Sequence, residues 1–185
     1  SAPERFGNEC LDSDLDPVVK FAPDGTVAES FGGGMFIWPH GIDVDPNGNV
    51  WVTDAVYEER TPVGTRGHQV VKFSATGDVL MTLGTPGKAG GGKNHFNAPA
   101  DVVIADDGSI FVADGHNGTG NNRVVKFSSD GTYIKEWGKT GYGPGEFRTL
   151  HAIALDNEGR IFVADRANNR IQIFDQEGEF LAKWT

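Results

Sequence analysis

Two histidines of this chain stand where their imidazoles could share a metal ion. His40, in Pro39–Gly41, and His151, in Leu150–Ala152, occupy the same position in two copies of an internal repeat. Neutral imidazole is a common ligand of Zn²⁺. Equivalent positions on the innermost strands of a ring of repeats converge on its axis, so the pair predicts part of a zinc site. The alternative is that each histidine only forms hydrogen bonds within the loop that enters its strand.

The repeat that places these histidines recurs about every 50 residues, which is typical of propellers and solenoids. Each copy has a short apolar segment ending in Phe, followed by a polar turn with a glycine. These segments are Val18–Phe21, Val70–Phe73, Val124–Phe127 and Ile171–Phe174. A second repeated motif, which ends in Asp, alternates with these segments along the chain. Its copies are Gly48–Asp54, Gly108–Asp114 and Gly159–Asp165.

One full period, from Pro39 to Gly84, has the pattern of four short antiparallel strands separated by turn residues. No helical periodicity is present in the sequence. Four such strands per period are typical of a propeller blade. We therefore predict an all-β propeller with blades over 39–84, about 99–138 and 150 to the end. Residues 18–32 are predicted to supply the last two strands of an earlier blade, and residues 1–17 an N-terminal segment before the propeller at 18–185.

Three complete blades and a partial one cannot close a ring, because propellers have at least four blades. An open array exposes apolar blade faces and strand edges. We therefore expect either that this chain is part of a longer protein, which is the favoured interpretation, or that a second copy completes the ring.

Composition excludes several classes of partner. The net charge of −10 repels phosphate backbones, so we expect no nucleic-acid partner. No apolar stretch approaches the roughly 20 residues that cross a bilayer, so we expect no membrane partner. The single cysteine, Cys10, cannot form an intrachain disulfide.

Several segments carry more specific patterns than the repeat itself. They are Phe36–Asp45, Gly48–Asp54, Asn94–Phe96 with Pro99 and Asp101, and Ala164–Arg166 with Asn169–Gln172. Together they resemble one family, the peptidyl-α-hydroxyglycine α-amidating lyases. The resemblance covers nearly the whole chain from about Val18. It implies a six-bladed propeller of NHL-type repeats with a zinc ion held by three histidines. It also implies cleavage of a C–N bond in a peptide substrate, which releases a peptide amide and glyoxylate. We expect an extracellular or periplasmic location.

The resemblance also implies roles for individual residues. His40 and His151 match two of the zinc histidines, and Ile42 matches a residue whose backbone carbonyl binds a structural calcium ion. Arg166 matches an active-site arginine that would hold a carboxylate. His116 stands where the family has its catalytic tyrosine, so we expect it to be the base that takes the hydroxyl proton. The family's third zinc histidine lies in a part that this chain does not cover.

This sequence departs from the family pattern at two further positions. Asn97 and Asn117 stand where the family has a disulfide.

Simpler roles remain open for several of these residues. His116 could be a loop residue, and Arg166 could form a surface salt bridge. We expect ion pairs between the repeated Asp and Arg residues, and a blade-core role for the repeated aromatic residues Trp51, Phe111 and Phe162.

Two other functions also remain open. One is a non-catalytic NHL propeller that binds a peptide or protein on its loop face. The other is a calcium-dependent lactonase-type propeller, which needs carboxylates and asparagines where this chain has His40 and His151.

Overall fold

The computed structural model describes residues 10–57, 64–118 and 120–185. Sixteen strands lie in this part of the chain, together with a short 3-10 helix at Arg166–Asn168. None of the helical structure in the described ranges is long and apolar enough to cross a membrane. The prediction of an all-β fold is confirmed.

The strands of the described residues form three four-stranded antiparallel sheets and two two-stranded sheets, one antiparallel and one parallel. The partial blade has β1 (Val18–Phe21) and β2 (Val27–Phe31). The first complete blade has β3 (Pro39–Val44), β4 (Val50–Asp54), β5 (Gln69–Phe73) and β6 (Val79–Gly84). The middle blade has β7 (Pro99–Ile104), β8 (Ile110–Asp114), β9 (Arg123–Phe127) and β10 (Tyr133–Trp137). A short parallel pair, β11 (Lys139–Thr140) and β12 (Glu146–Phe147), precedes the last blade, which has β13 (Leu150–Leu155), β14 (Ile161–Asp165), β15 (Arg170–Phe174) and β16 (Phe180–Trp184).

These blades match the predicted ones, and the sheets do not close into a ring. The turns between strands are built by the repeated Asp and Gly residues. After β3, for example, the Asp45 carboxylate accepts hydrogen bonds from the backbone N–H groups of Asn47 and Asn49, both at 3.0 Å. Gly48 closes the same turn with φ +81°, a conformation that favours glycine.

The apolar core lies between neighbouring blades. Trp51 packs with residues of the middle blade such as Val102 and Ile110, and Phe111 packs with Ile153 of the last blade. The prediction that Trp51 and Phe111 are core residues is confirmed, since they are 1% and 0% exposed.

The core prediction is wrong for Phe162, which is only partly buried and lies against Trp184, with ring centroids 5.4 Å apart. Its equivalents in the other two blades are covered by the next blade, and no described blade covers this face of the last one.

The first strands of the blades lie side by side. β7 contacts β3 on one side and β13 on the other. Residues at the start of these three strands therefore lie together at one end of the array, which we call the mouth. The predicted site residues belong to this end.

Candidate metal centre

Three histidines from three successive blades meet at this mouth. The ring centroid of His40 lies 4.4 Å from that of His116 and 5.1 Å from that of His151, and the His116 and His151 centroids are 5.0 Å apart. One ring nitrogen from each histidine lies within 4.8 Å of the other two. The expected proximity of His40 and His151 is therefore present, and His116, which was expected only as a base, joins them. Whether they bind metal stays a prediction.

His40 is positioned by contacts that reach across two blades. Its Nδ1 lies 2.8 Å from the backbone carbonyl oxygen of Ala100, the residue at the same position of the middle blade. A carbonyl only accepts, so Nδ1 carries the proton and Nε2 of the neutral ring keeps its lone pair. The hydroxyl of Thr53 donates to the same carbonyl at 2.9 Å and accepts from the N–H of Gly41 at 2.8 Å.

Gly41 has a steric reason to be glycine. A Cβ atom there would lie 2.4 Å from Asp101 Oδ1 and 2.7 Å from the carbonyl oxygen of Ala100. The close approach of β3 and β7 thus requires glycine directly after His40.

His116 is positioned by the loop that follows β8. Its backbone N–H donates to the carbonyl of Ala98 at 2.9 Å. Gly115 precedes it with φ +139°, and a Cβ there would lie 2.5 Å from the backbone nitrogen of Asn122. The loop therefore has little freedom, and it turns the imidazole of His116 inward, where the residue is 3% exposed.

Two aromatic residues that sequence reasoning missed complete the surroundings. The hydroxyl of Tyr57 lies 3.3 Å from Nδ1 of His116, and the two rings stack with centroids 5.8 Å apart. Trp38 packs edge-on against His40, His116 and Tyr57 at centroid distances of 5.2, 5.0 and 5.3 Å. Trp38 lies inside Phe36–Asp45, one of the segments that carry the family resemblance. Tyr57 follows β4 in a loop with no recognisable sequence motif.

Burial keeps the three imidazoles neutral. Burial and the positive charge of Arg166 lower the pKa of His40. Burial, His40 and Arg166 all lower the pKa of His151. Burial, His40, Arg166 and His151 together lower the pKa of His116 to about 3. Neutral imidazole is the form that binds metal ions.

Arg166 follows β14 and lies exposed at the same mouth. Its backbone N–H donates to the carbonyl of Thr149 at 3.0 Å. Its charge acts on all three histidines. Within the described ranges its side chain makes no hydrogen bond or ion pair, so the alternative of a surface salt bridge is not observed.

The donors fit a zinc ion. They are three neutral nitrogens, and Nε2 of His116 is buried without a hydrogen-bond partner, which is uncommon for a buried polar atom. A fourth position would stay open for substrate, as in catalytic zinc sites.

The predicted calcium site has no comparable group of ligand side chains among the described residues. Ile42 lies in β3, two residues after His40, with its side chain 59% exposed. Among the described residues, the three histidines are the only group of three or more His, Cys, Asp or Glu close enough to share a metal ion. The calcium role of the Ile42 carbonyl therefore stays a prediction.

A cavity of about 620 Å³ lies at the other end of the inner strands, away from the histidines. Its walls include Asp43 and Asp101, whose carboxylates bind the next blade. Asp43 accepts from the N–H of Ile104, and Asp101 accepts from the N–H of Ile153, each at 3.0 Å. These acids join neighbouring inner strands.

The expected Asp–Arg pairing is confirmed. Nε of Arg123 lies 3.0 Å from Asp114, and Nε of Arg170 lies 2.7 Å from Asp165. A hydrogen bond stands where the family has its disulfide, since the side chain of Asn117 donates to that of Asn97 at 3.2 Å.

Comparison with known proteins agrees with this architecture. A family model described as a six-bladed β-propeller matches residues 93–183, and an NHL-repeat model matches residues 36–60. The chain is 18% identical to virginiamycin B lyase from Staphylococcus aureus, with a TM-score of 0.52 over 79% of this chain and 40% of that one, a likeness of fold alone.

Curated relatives are closer in sequence. Human NHL repeat-containing protein 3 is 40% identical over 159 residues, which cover 82% of this chain and 46% of that protein. The probable peptidyl-α-hydroxyglycine α-amidating lyase of Caenorhabditis elegans is 39% identical over 152 residues, which cover 80% of this chain and 40% of that protein. The chain thus spans less than half the length of these relatives. Its fold is an NHL-type β-propeller, and its resemblance to the amidating lyases is confirmed.

Proposed function

We propose that this chain carries the catalytic mouth of a zinc-dependent lyase that cleaves a peptidyl-α-hydroxyglycine into a peptide amide and glyoxylate. The observation that carries the proposal is the meeting of His40 and His151, with ring centroids 5.1 Å apart, at the start of inner strands from two blades. Relatives named as lyases of this type support the choice of reaction.

In this proposal His40 and His151 hold the zinc ion with neutral imidazoles. When bound, zinc supplies a Lewis acid for the hydroxyl or carboxylate of the substrate. Arg166 binds the substrate's terminal carboxylate, because its exposed guanidinium has no described partner and can present two N–H donors to it. This contact orients the hydroxyglycine at the mouth.

The reaction also needs a group that accepts the hydroxyl proton as the C–N bond breaks and the C=O bond of glyoxylate forms. The released amide nitrogen takes up a proton. His116 is the expected base, but a pKa of about 3 makes it a weak proton acceptor near neutral pH. Tyr57 places a second candidate group, a phenol hydroxyl, at the same mouth.

The test combines zinc content with glyoxylate release by the purified protein. We expect His40→Ala and His151→Ala to lose both bound zinc and glyoxylate release, and Arg166→Ala to raise KM. The control is His95→Ala, which removes a histidine outside the cluster. A zinc-loaded wild type that releases no glyoxylate, or activity that survives both histidine substitutions, refutes the proposal.

A non-catalytic propeller that binds a peptide is the second candidate. It is favoured by His116 at the position of the family's tyrosine, and the 40% identity to NHL repeat-containing protein 3, whose name states no reaction, leaves it open. This candidate predicts peptide binding at the mouth that does not depend on zinc.

The open array requires a partner in either case. We propose that further blades or a second copy cover its ends, since Phe21 and Val27 on the partial blade and Leu181 and Trp184 on β16 are 50–63% exposed. Sedimentation of the 185-residue chain over a range of concentrations tests this. A stable monomer at every concentration contradicts it.

A further inference from the structure

We infer that His116 is a third metal ligand, so that this chain alone holds a three-histidine site for a divalent transition-metal ion. We infer further that Tyr57 is the positioning residue that keeps His116 in the ligand orientation. The inference rests on the zinc site of the proposed function, but it moves His116 from the role of base to that of ligand. It also makes the site independent of histidines outside these residues.

The first argument is geometric. His40, His116 and His151 come from the first, middle and last blades, so each is held by a separate sheet. One nitrogen from each ring lies within 4.8 Å of the others. Nitrogens bound to one zinc ion lie about 3–3.5 Å apart, given Zn–N distances of about 2.0–2.1 Å. Each pair of nitrogens therefore has to close by at most about 1.3–1.8 Å to share one ion.

The second argument is the position of the lone pairs. Nδ1 of His40 donates to the Ala100 carbonyl, so Nε2 is its free acceptor. Nδ1 of His116 faces the hydroxyl of Tyr57, and its Nε2 is buried without a partner. A buried polar atom without a partner costs stability, and a metal ion would satisfy it. In both rings Nδ1 is already engaged in a hydrogen bond, so Nε2 is the nitrogen that remains for a metal ion.

The third argument is the support around His116. If Nε2 binds metal, Nδ1 carries the proton and donates it to the Tyr57 hydroxyl oxygen. Such hydrogen bonds fix the tautomer and the ring orientation of metal-binding histidines. Stacking with Tyr57 and the edge-on contact with Trp38 restrict rotation of the His116 ring further. These contacts hold the His116 ring in one orientation, as expected for a metal ligand. A side chain that carries protons by moving would need the ring rotation that these contacts restrict.

The donor set indicates which ions would bind. Three neutral imidazoles suit Zn²⁺, Co²⁺, Ni²⁺ or Cu²⁺, whereas Ca²⁺ and Mg²⁺ prefer oxygen ligands.

The experiment titrates the metal-free 185-residue chain with Zn²⁺ against a competing chelator and records visible absorption with Co²⁺. We expect one ion per chain. Tyr57→Phe, which keeps the ring and removes the hydroxyl, should weaken Zn²⁺ binding roughly 10–100-fold, as expected for loss of an outer-shell partner. His116→Ala should weaken it by more than that.

The matched controls are Tyr142→Phe, at an exposed tyrosine, and His95→Ala, and both should bind Zn²⁺ like the wild type. Circular dichroism of each variant shows that it is folded. In the wild type, the ¹⁵N signal of His116 Nε2 should shift on Zn²⁺ binding, a readout that needs no substitution.

The outcomes separate the two proposals. If His40→Ala and His151→Ala lose Zn²⁺ binding while His116→Ala keeps wild-type affinity and Nε2 does not shift, the role of His116 is overturned and the zinc site of the proposed function survives. If the wild type binds no Zn²⁺, both fail. If Tyr57→Phe binds as tightly as the wild type, the positioning role of Tyr57 is wrong.

Discussion

The Thr53 hydroxyl connects the two inner strands that position His40, and its removal should be measurable as lost stability. Thr53→Val keeps the shape of the side chain and deletes the hydroxyl, which accepts from the N–H of Gly41 and donates to the carbonyl of Ala100. Thr53 is 0% exposed. The N–H of Gly41 is left buried and unpaired, which costs about 1–3 kcal/mol. The Ala100 carbonyl keeps its bond from His40, so the second lost bond costs only about 0.5–1.5 kcal/mol.

Together these two losses lower the free energy of unfolding by about 1.5–4.5 kcal/mol, which corresponds to a fall in Tm of roughly 3–18 °C for a chain of this size. Thr53→Ser is the matched control, because it keeps the hydroxyl and loses one buried methyl group, worth about 0.8 kcal/mol. Thermal unfolding followed by circular dichroism measures both variants. If Thr53→Val is as stable as Thr53→Ser, the hydroxyl does not join the strands as described.

Three further predictions concern the same inner strands. Gly41→Ala should destabilise the chain by about 1–3 kcal/mol in thermal unfolding, because its Cβ meets backbone atoms of β7, whereas Gly92→Ala, with only an ordinary contact at 3.4 Å, should not. Burial raises the pKa of Asp101 to about 6, above its unfolded value, so the folded state binds more protons between pH 4 and 6 and stability should fall as pH rises through that window. Denaturant titrations at several pH values should show a weaker fall for Asp101→Asn, and an unchanged slope would contradict the assignment. Arg166→Ala should raise the pKa of His40, measured by NMR titration of its ring protons, because the guanidinium charge is removed; an unchanged pKa would place Arg166 away from the mouth.

Much of the fold could be predicted from the sequence because a propeller blade is a local structure. Its strands follow one another in the chain, and turn residues such as Gly48 mark where one strand ends and the next begins. The predicted blades therefore agree with the observed ones almost residue for residue. The burial of Phe162 could not be predicted, since it depends on whether another blade covers it.

The sequence by itself determined the repeat, the strands and the common position of His40 and His151, because these follow from local pattern and period. Only the tertiary structure decided which side chains meet at the mouth. His116 and Tyr57 lie in loops of irregular length, and the chain separates them by 59 residues. Their contact depends on how the first and middle blades pack. Packing also determines the hydrogen bond from His40 Nδ1 to the Ala100 carbonyl, which leaves Nε2 of His40 available to the candidate metal centre.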